Sequence, residues 1–213
     1  MKIALVYIFP NVKFKTYEPQ AKRFANQYVE HPPGKTDHEL YVVVNGGGKI
    51  TPRQETLFSP LAPRFLHHNN YGKDVGAYQM AARTIPCDLL VCIGSPVRPR
   101  QAGWLDRMVQ VFEDCGPAVY GQWGYHAPSV HLRTTVFWIP PALSNAYPYK
   151  IDNESRYQFE FGSKSITQWC RNQGLPAYMV TWTQVRPADH FCHVEQQDAL
   201  FIDQHCENAG WKD

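Results

Sequence analysis

The residues of this chain best suited to chemistry sit where apolar runs end in turns bearing glycine, asparagine or aspartate. Four such ends stand out: Phe9-Pro10, Asn45-Gly46-Gly47-Gly48, the segment from Asn69 to Ala77, and Gly94-Ser95-Pro96. Glycine lets a backbone approach a phosphate closely, and asparagine and aspartate side chains can hold a base or a ribose hydroxyl. An ordinary loop is the competing reading of the glycine triplet, which is not GxGxxG and is followed by neither GKS nor GKT, so no dinucleotide fingerprint and no P-loop is present. Arg98 and Arg100 follow the fourth turn. A guanidinium neutralises a diphosphate through paired charge-assisted hydrogen bonds, although the same two residues also read as a solvated basic loop. Asp189-His190-Phe191-Cys192-His193-Val194-Glu195 gathers residue types that bind transition metals, with His190 and His193 as the candidate ligands, but its spacing matches no standard zinc pattern. Trp123, Tyr125 and His126, with His131 and Arg133 shortly after them, read either as the lining of a pocket or as ordinary packing.

For these turns to meet, the runs before them must be neighbouring strands, because open α/β sheets bind ligands outside the carboxyl ends of their strands. Ile3 to Ile8, Leu40 to Val44 and Leu89 to Ile93 are nearly continuous apolar runs, which suits strands covered on both faces. Ala21, Phe24, Ala25 and Tyr28 recur at helical spacing and predict a helix over Tyr17 to Tyr28, ended by Pro32-Pro33-Gly34. Further helices are expected over Tyr78 to Arg83, Trp104 to Glu113 and Ser163 to Asn172, with strands over Ala118 to Tyr120 and Tyr178 to Trp182. Val130 to Ile139 alternates and predicts an antiparallel or edge strand, hence a mixed sheet. The 213 residues fit one domain, and 44% hydrophobic with 14% aromatic residues argue against disorder. A net charge of +2 is too mild to announce a nucleic-acid binder. No stretch approaches the roughly 20 apolar residues that span a bilayer, so no membrane partner is expected. The first ten residues read as a strand rather than a secretory signal. Six scattered cysteines without a CxxC pair suit free thiols in the cytoplasm.

The segment Asn69-Asn70-Tyr71-Gly72-Lys73-Asp74-Val75-Gly76-Ala77 resembles that of GT-A-fold, family-2-like glycosyltransferases in which an asparagine and a glycine precede a glycine-alanine pair that opens a helix. The order downstream is similar too. Asp88 to Ile93 stands where such enzymes have an apolar strand that begins with Asp and leads to a metal-binding DxD signature, and Trp104-Leu105 opens the next helix. The resemblance implies a single α/β domain, GT-A-like and Rossmann-related, with a mixed, mainly parallel sheet flanked by helices. Residues 1–120 would bind the nucleotide-sugar and residues 121–213 the acceptor. The implied activity is hexosyl transfer from a UDP-sugar to a hydroxyl. Phe9, Asn45, Gly46, Asn70, Lys73, Asp74, Gly94, Ser95 and Arg98 are the expected donor contacts, and Trp123, Tyr125, His126 and Arg133 the expected acceptor contacts. At the DxD position Gly94-Ser95-Pro96 offers no carboxylate, which leaves a Mn or Mg requirement without its usual ligands. Transfer with inversion needs a general base. Glu160 is the first candidate, because similar enzymes carry acidic residues ahead of a helix there; Asp189, His190 and His126 stand in reserve, and a surface pair of Glu160 with Arg156 is the alternative. The compact layout is also similar to that of viral glycosyltransferases associated with TET oxygenases, which implies 5-hydroxymethylcytosine in DNA as acceptor. Open beside it are a polysaccharide or small-molecule acceptor, a non-catalytic nucleotide-sugar-binding protein, and a zinc-dependent hydrolase built on the late histidines.

Overall fold

The computed structural model describes residues 1–126, 129–191 and 196–203. Strand and helix alternate through the first part: β1 (Ile3–Phe9), α1 (Phe14–Glu30), β2 (Glu39–Asn45), α2 (Pro52–Phe58), β3 (Arg64–His68), α3 (Lys73–Thr84), β4 (Leu89–Ile93), β5 (Arg98–Pro99), α4 (Trp104–Cys115) and β6 (Val119–Gly121). There follow β7 (Gly124–Tyr125), β8 (His131–Leu132), β9 (Val136–Ile139), α5 (Pro141–Ala146), α6 (Arg156–Glu160), α7 (Ile166–Asn172), β10 (Ala177–Val180), β11 (Val185–Pro187) and β12 (Phe201–Ile202).

Eight strands form one sheet in the order β11-β10-β6-β9-β4-β1-β2-β3. β9 and β11 run antiparallel to their neighbours and the other six run parallel. The chain is thus a single α/β domain with a mixed, mainly parallel sheet flanked by helices. β1 and β4 are buried at every residue, as central strands covered on both faces must be. α1 is fastened to β1 by Phe24, whose ring stacks on Tyr7 at 4.0 Å; burying one such ring contributes about 1.5–3 kcal/mol. α2 opens on a capping box in which Thr51 and Gln54 exchange hydrogen bonds, with Pro52 at the first helical position.

The alternating run Val130 to Ile139 is not one strand. It breaks at Arg133–Thr135, where Arg133 N–H donates to the Trp123 carbonyl at 2.9 Å and both Thr134 donors turn to Glu160. β9 is antiparallel as expected but lies inside the sheet, between β4 and β6. From β1 the chain winds through β2 to β3, then crosses to place β4 on the other side of β1. The carboxyl ends of β1 and β4 therefore flank the topological switch point, where such sheets open a crevice. Among the described residues no helix is long and apolar enough to cross a membrane, and Cys87, Cys92, Cys115 and Cys170 are free thiols. Cys192 and Cys206 lie outside the described residues.

Candidate functional site

The ends of β1 and β4 are joined by one buried hydrogen bond, from the Tyr7 hydroxyl to the Ser95 carbonyl at 3.0 Å. Gly94 N–H donates to the Thr135 carbonyl at 2.8 Å, and Val97 N–H closes the turn back onto the Gly94 carbonyl. A side chain on Gly94 would press on that same Thr135 carbonyl at 3.1 Å, so glycine keeps the turn seated on the segment between β8 and β9. In this segment Thr134 fixes Glu160: its N–H donates to Oε2 at 2.8 Å and its hydroxyl donates at 2.6 Å. Glu160 ends α6, which packs on α3. The carboxylate is thus gripped by a backbone segment rather than paired with Arg156, whose guanidinium lies over the Tyr157 ring at 3.9 Å.

Asp74 stands in the first turn of α3. It keeps contact with solvent, yet the protein around it is dense. Desolvation above all, with the charge of Glu160 added, holds its carboxyl above the usual range, against opposing hydrogen bonds from the Val75 and Asp74 N–H groups and the charge of Arg156. Asp74 and Glu160 therefore share one field. Tyr78, one turn further along α3, is buried beside Gly94, and its hydroxyl has no hydrogen-bond partner among the described residues.

The second wall is the glycine triplet. Gly46, Gly47 and Gly48 all adopt left-handed φ, at 76°, 69° and 85°. A Cβ on Gly46 would overlap Val12, and one on Gly47 would meet the Asn11 carbonyl at 2.7 Å, so the loop after β2 lies directly on the loop after β1. Asn45 is 2% exposed, with Oδ1 at 2.8 Å from His68 Nδ1. Burial lowers the His68 pKa. Asn70, Gly72 and Lys73 are left-handed as well, and Gly72 N–H donates to Asn153 Oδ1 at 3.0 Å. For a lysine that conformation costs on the order of 1 kcal/mol, a strain typical of functional turns. Gly76 lies against the Tyr71 carbonyl, with no room for a side chain.

Asn45, Gly46 and Asn70 are thus brought together around His68, and Asp74, Gly94 and Glu160 around Tyr78 and Thr134, with Ser95 held by Tyr7. Lys73 is the residue before Asp74 at the start of α3. The Phe9 ring is fully buried, edge-on to Phe58, and does not face solvent. Arg98 is 5% exposed, in β5, so it is not part of a solvated loop. Arg133 pairs with the fully buried Asp203 at 3.0 Å and lies over the Trp123 ring. Trp123 is buried; Tyr125 is exposed and stacked on His131; His126 Nε2 is 2.9 Å from the Phe191 carbonyl oxygen. Asp189 pairs with Arg171 at 2.7 Å, and His190 lines a depression of about 470 Å³ beside β11. No described contact joins either residue to Asp74 or Glu160. His193 lies outside the described residues. Among the described residues no group of three or more His, Cys, Asp or Glu could hold a metal ion.

Tyr7, Tyr78, Thr134 and Asn153 belong to this constellation and were not expected in it. Each sits within an ordinary strand, helix or loop pattern, and its place depends on partners distant in sequence.

No family model matches the chain, and no curated protein does. Solved structures do. A mannosyltransferase from Pyrobaculum calidifontis in complex with GDP-Man and Mn2+ is similar with a TM-score of 0.58 at 11% identity, over 84% of this chain and 54% of that one. S. aureus TarS in complex with UDP is similar with a TM-score of 0.53 at 14% identity, over 75% and 54%. CMP:2-keto-3-deoxy-manno-octonic acid synthetase complexed with CTP gives 0.56 at 8% identity, over 84% and 89%. The chain spans about half the length of the first two. At these identities the likeness is one of architecture: the chain has the GT-A-like fold of nucleotide-sugar transferases.

Proposed function

We propose that this protein is a glycosyltransferase that moves a sugar from a nucleotide-sugar to a hydroxyl acceptor, with residues 1–120 holding the donor and residues 121–213 the acceptor. The observation that carries this reading is Glu160, gripped by Thr134 on α6 packed against the Asp74-bearing α3, beside the Gly94–Ser95 turn at the carboxyl ends of a GT-A-like sheet. Nucleotide ligands in the similar structures, namely UDP, GDP-Man and CTP, support a nucleotide-bearing donor. Gly46 and Asn70, beside the buried Asn45 that braces them through His68, would receive the nucleoside, and Lys73 the diphosphate; Arg98 is too deeply buried to reach it. Asp74 would accept hydrogen bonds from the sugar. Glu160, oriented by Thr134, would take the proton of the acceptor hydroxyl as the new glycosidic bond forms and the nucleoside diphosphate departs.

A Mn or Mg ion, bound in one of the similar structures, finds no carboxylate at Gly94-Ser95-Pro96, and the Ser95 carbonyl already accepts from Tyr7. The described residues there do not fit a hard cation, and no step is assigned to one. DNA as acceptor would call on basic side chains at the surface, yet Arg98 and Arg133 are withdrawn from it. Duplex DNA carrying 5-hydroxymethylcytosine therefore enters the test beside neutral oligosaccharides rather than ahead of them.

The test begins with thermal shifts against UDP-, GDP-, dTDP- and CMP-sugars, each with and without manganese. A donor at about a hundred times its Kd stabilises by about 2.7 kcal/mol. The stabilising donor is then offered to the acceptor panel and nucleotide release is followed. Asp74→Asn should lose the donor-induced shift. Glu160→Gln should keep it while turnover falls by about 10²-fold or more. A non-catalytic binder would show the shift without turnover in any variant, and absence of a shift with every donor would overturn the reading.

A further inference from the structure

α3 has a second chemically distinctive side. Gly76, Met80 and Arg83 recur at helical spacing on the face opposite Asp74 and Tyr78. They form one wall of an open cavity of about 580 Å³ at the carboxyl end of the edge strand β3, bordered by the loop that carries Tyr149 and Lys150. This volume falls within the roughly 300–1,000 Å³ of small-molecule sites. Its charged lining is of one sign: Arg83 and Lys150 border it, beside the neutral polar Asn69 and Gln79, and none of the described lining residues is acidic. Arg83 is exposed and has no ion-pair partner among the described residues. Lys150 reaches the Tyr71 hydroxyl and, at 3.4 Å, Asp152, whose carboxylate is not part of the lining. Tyr71 and Tyr149, both substantially exposed, supply aromatic surface to the same space.

We infer that this cavity, which adjoins the proposed donor site across His68 and Asn70, is a second binding site for a small molecule that carries a phosphate monoester on an aromatic or apolar body. A guanidinium fork and an ammonium in one lining match a dianionic phosphate, and the tyrosine rings of the same lining match an aromatic or apolar body. The site is also mechanically tied to the crevice. Asn153 holds Gly72 N–H, and Ile151 packs where any side chain at Gly72 would go. A ligand that engages Lys150 and Tyr71 thereby steadies the left-handed turn leading to Asp74.

Phenyl phosphate is a suitable probe, since it carries the charge and the ring but no nucleoside. Isothermal titration of the intact protein should give saturable binding that weakens as salt rises. Arg83→Ala and Lys150→Ala should each weaken it about tenfold, the loss expected for one hydrogen bond to a charged group. Arg83→Glu should abolish it, and Asp74→Asn should leave it unchanged. Arg83 and Lys150 are surface residues, and an unchanged Tm would verify that the variants fold. The inference is overturned if wild type does not bind the probe, if the Arg83 and Lys150 variants bind it equally well, or if Asp74→Asn alone removes it, which would mean that the probe occupies the crevice. Because the probe lacks a nucleoside, this result is independent of whether any nucleotide-sugar binds.

Discussion

Two buried tyrosine hydroxyls beside the same turn make opposite demands on the protein. That of Tyr7 donates to the Ser95 carbonyl, whereas that of Tyr78 has no described partner; burial raises both pKa values, so both stay protonated. Tyr7→Phe should cost about 1–2 kcal/mol, because it removes a bond and leaves a buried carbonyl unsatisfied. Tyr78→Phe should be neutral or slightly stabilising, since only an unsatisfied hydroxyl is lost. Chemical denaturation of the two variants separates the cases, and a comparable loss in Tyr78→Phe would reveal a hidden partner. Asp74 yields a prediction in pH. Its folded pKa is raised above the unfolded value of about 4, so the native state binds the proton more tightly than the unfolded chain does. The stability this contributes is complete below about pH 4 and is lost as pH rises through the folded value. Asp74→Asn, which cannot ionise, should therefore melt higher than wild type near neutrality, with the difference shrinking in acid. Melting curves across pH would show it, and a gap that widens in acid would contradict it. Asn45 and Asp74 could be nominated from sequence because their types and their positions at run ends are informative, and Glu160 because the family resemblance implies an acid there. Thr134 could not, since its use depends on Glu160, 26 residues away, folding back onto it.

At the level of the turns, the glycine triplet offers a comparison built into the chain. Gly47 and Gly48 share left-handed backbone, but a Cβ at Gly47 would meet the Asn11 carbonyl at 2.7 Å, while one at Gly48 meets nothing within 4 Å. Gly48→Ala should cost only the conformational penalty, about 1 kcal/mol. Gly47→Ala should cost more, about 2–4 kcal/mol, because two loops must also part. If thermal denaturation gave equal losses, the loops after β1 and β2 would not be in contact. The strands were legible for a related reason. Buried parallel strands need unbroken apolar runs, so Ile3–Phe9 and Leu89–Ile93 could be read almost to the residue. α2 and β3 were not read as elements: α2 is seven residues of mixed polarity, and β3 is a sheet-edge strand with no fully buried residue. The break between β8 and β9 was invisible because alternation persists across it; what ends the pairing is the demand of the Trp123 carbonyl and the Glu160 carboxylate for donors from Arg133 and Thr134.

For the molecule as a whole, the proposed division into a donor half and an acceptor half near residue 120 does not coincide with any division of the fold. β9, from the second half, is inserted between β4 and β6 of the first, with Leu90 opposite Ile139 and Tyr120 opposite Trp138. Both neighbours of β6 in the sheet, β9 and β10, come after residue 121. The late segment is woven in as well: β12 pairs with β5, and the buried Gln122 side chain both donates to and accepts from the Phe201 backbone. Hydropathy could predict a mixed sheet, but not this order, because strand order is fixed by long-range pairing rather than by any local run. The interleaving has a measurable consequence. Residues 1–120 alone would leave β6 with no partner strand and would bare the inner edge of β4, so that fragment should show no cooperative unfolding transition. The full chain should unfold in one step, with circular dichroism, which reports the whole sheet, and the fluorescence of the buried Trp104 and Trp138, one in each half, sharing a single denaturant midpoint. Two separated midpoints, or a folded 1–120 fragment, would mean that the donor half holds together without β9, and the sheet order from which the crevice was built would have to be abandoned.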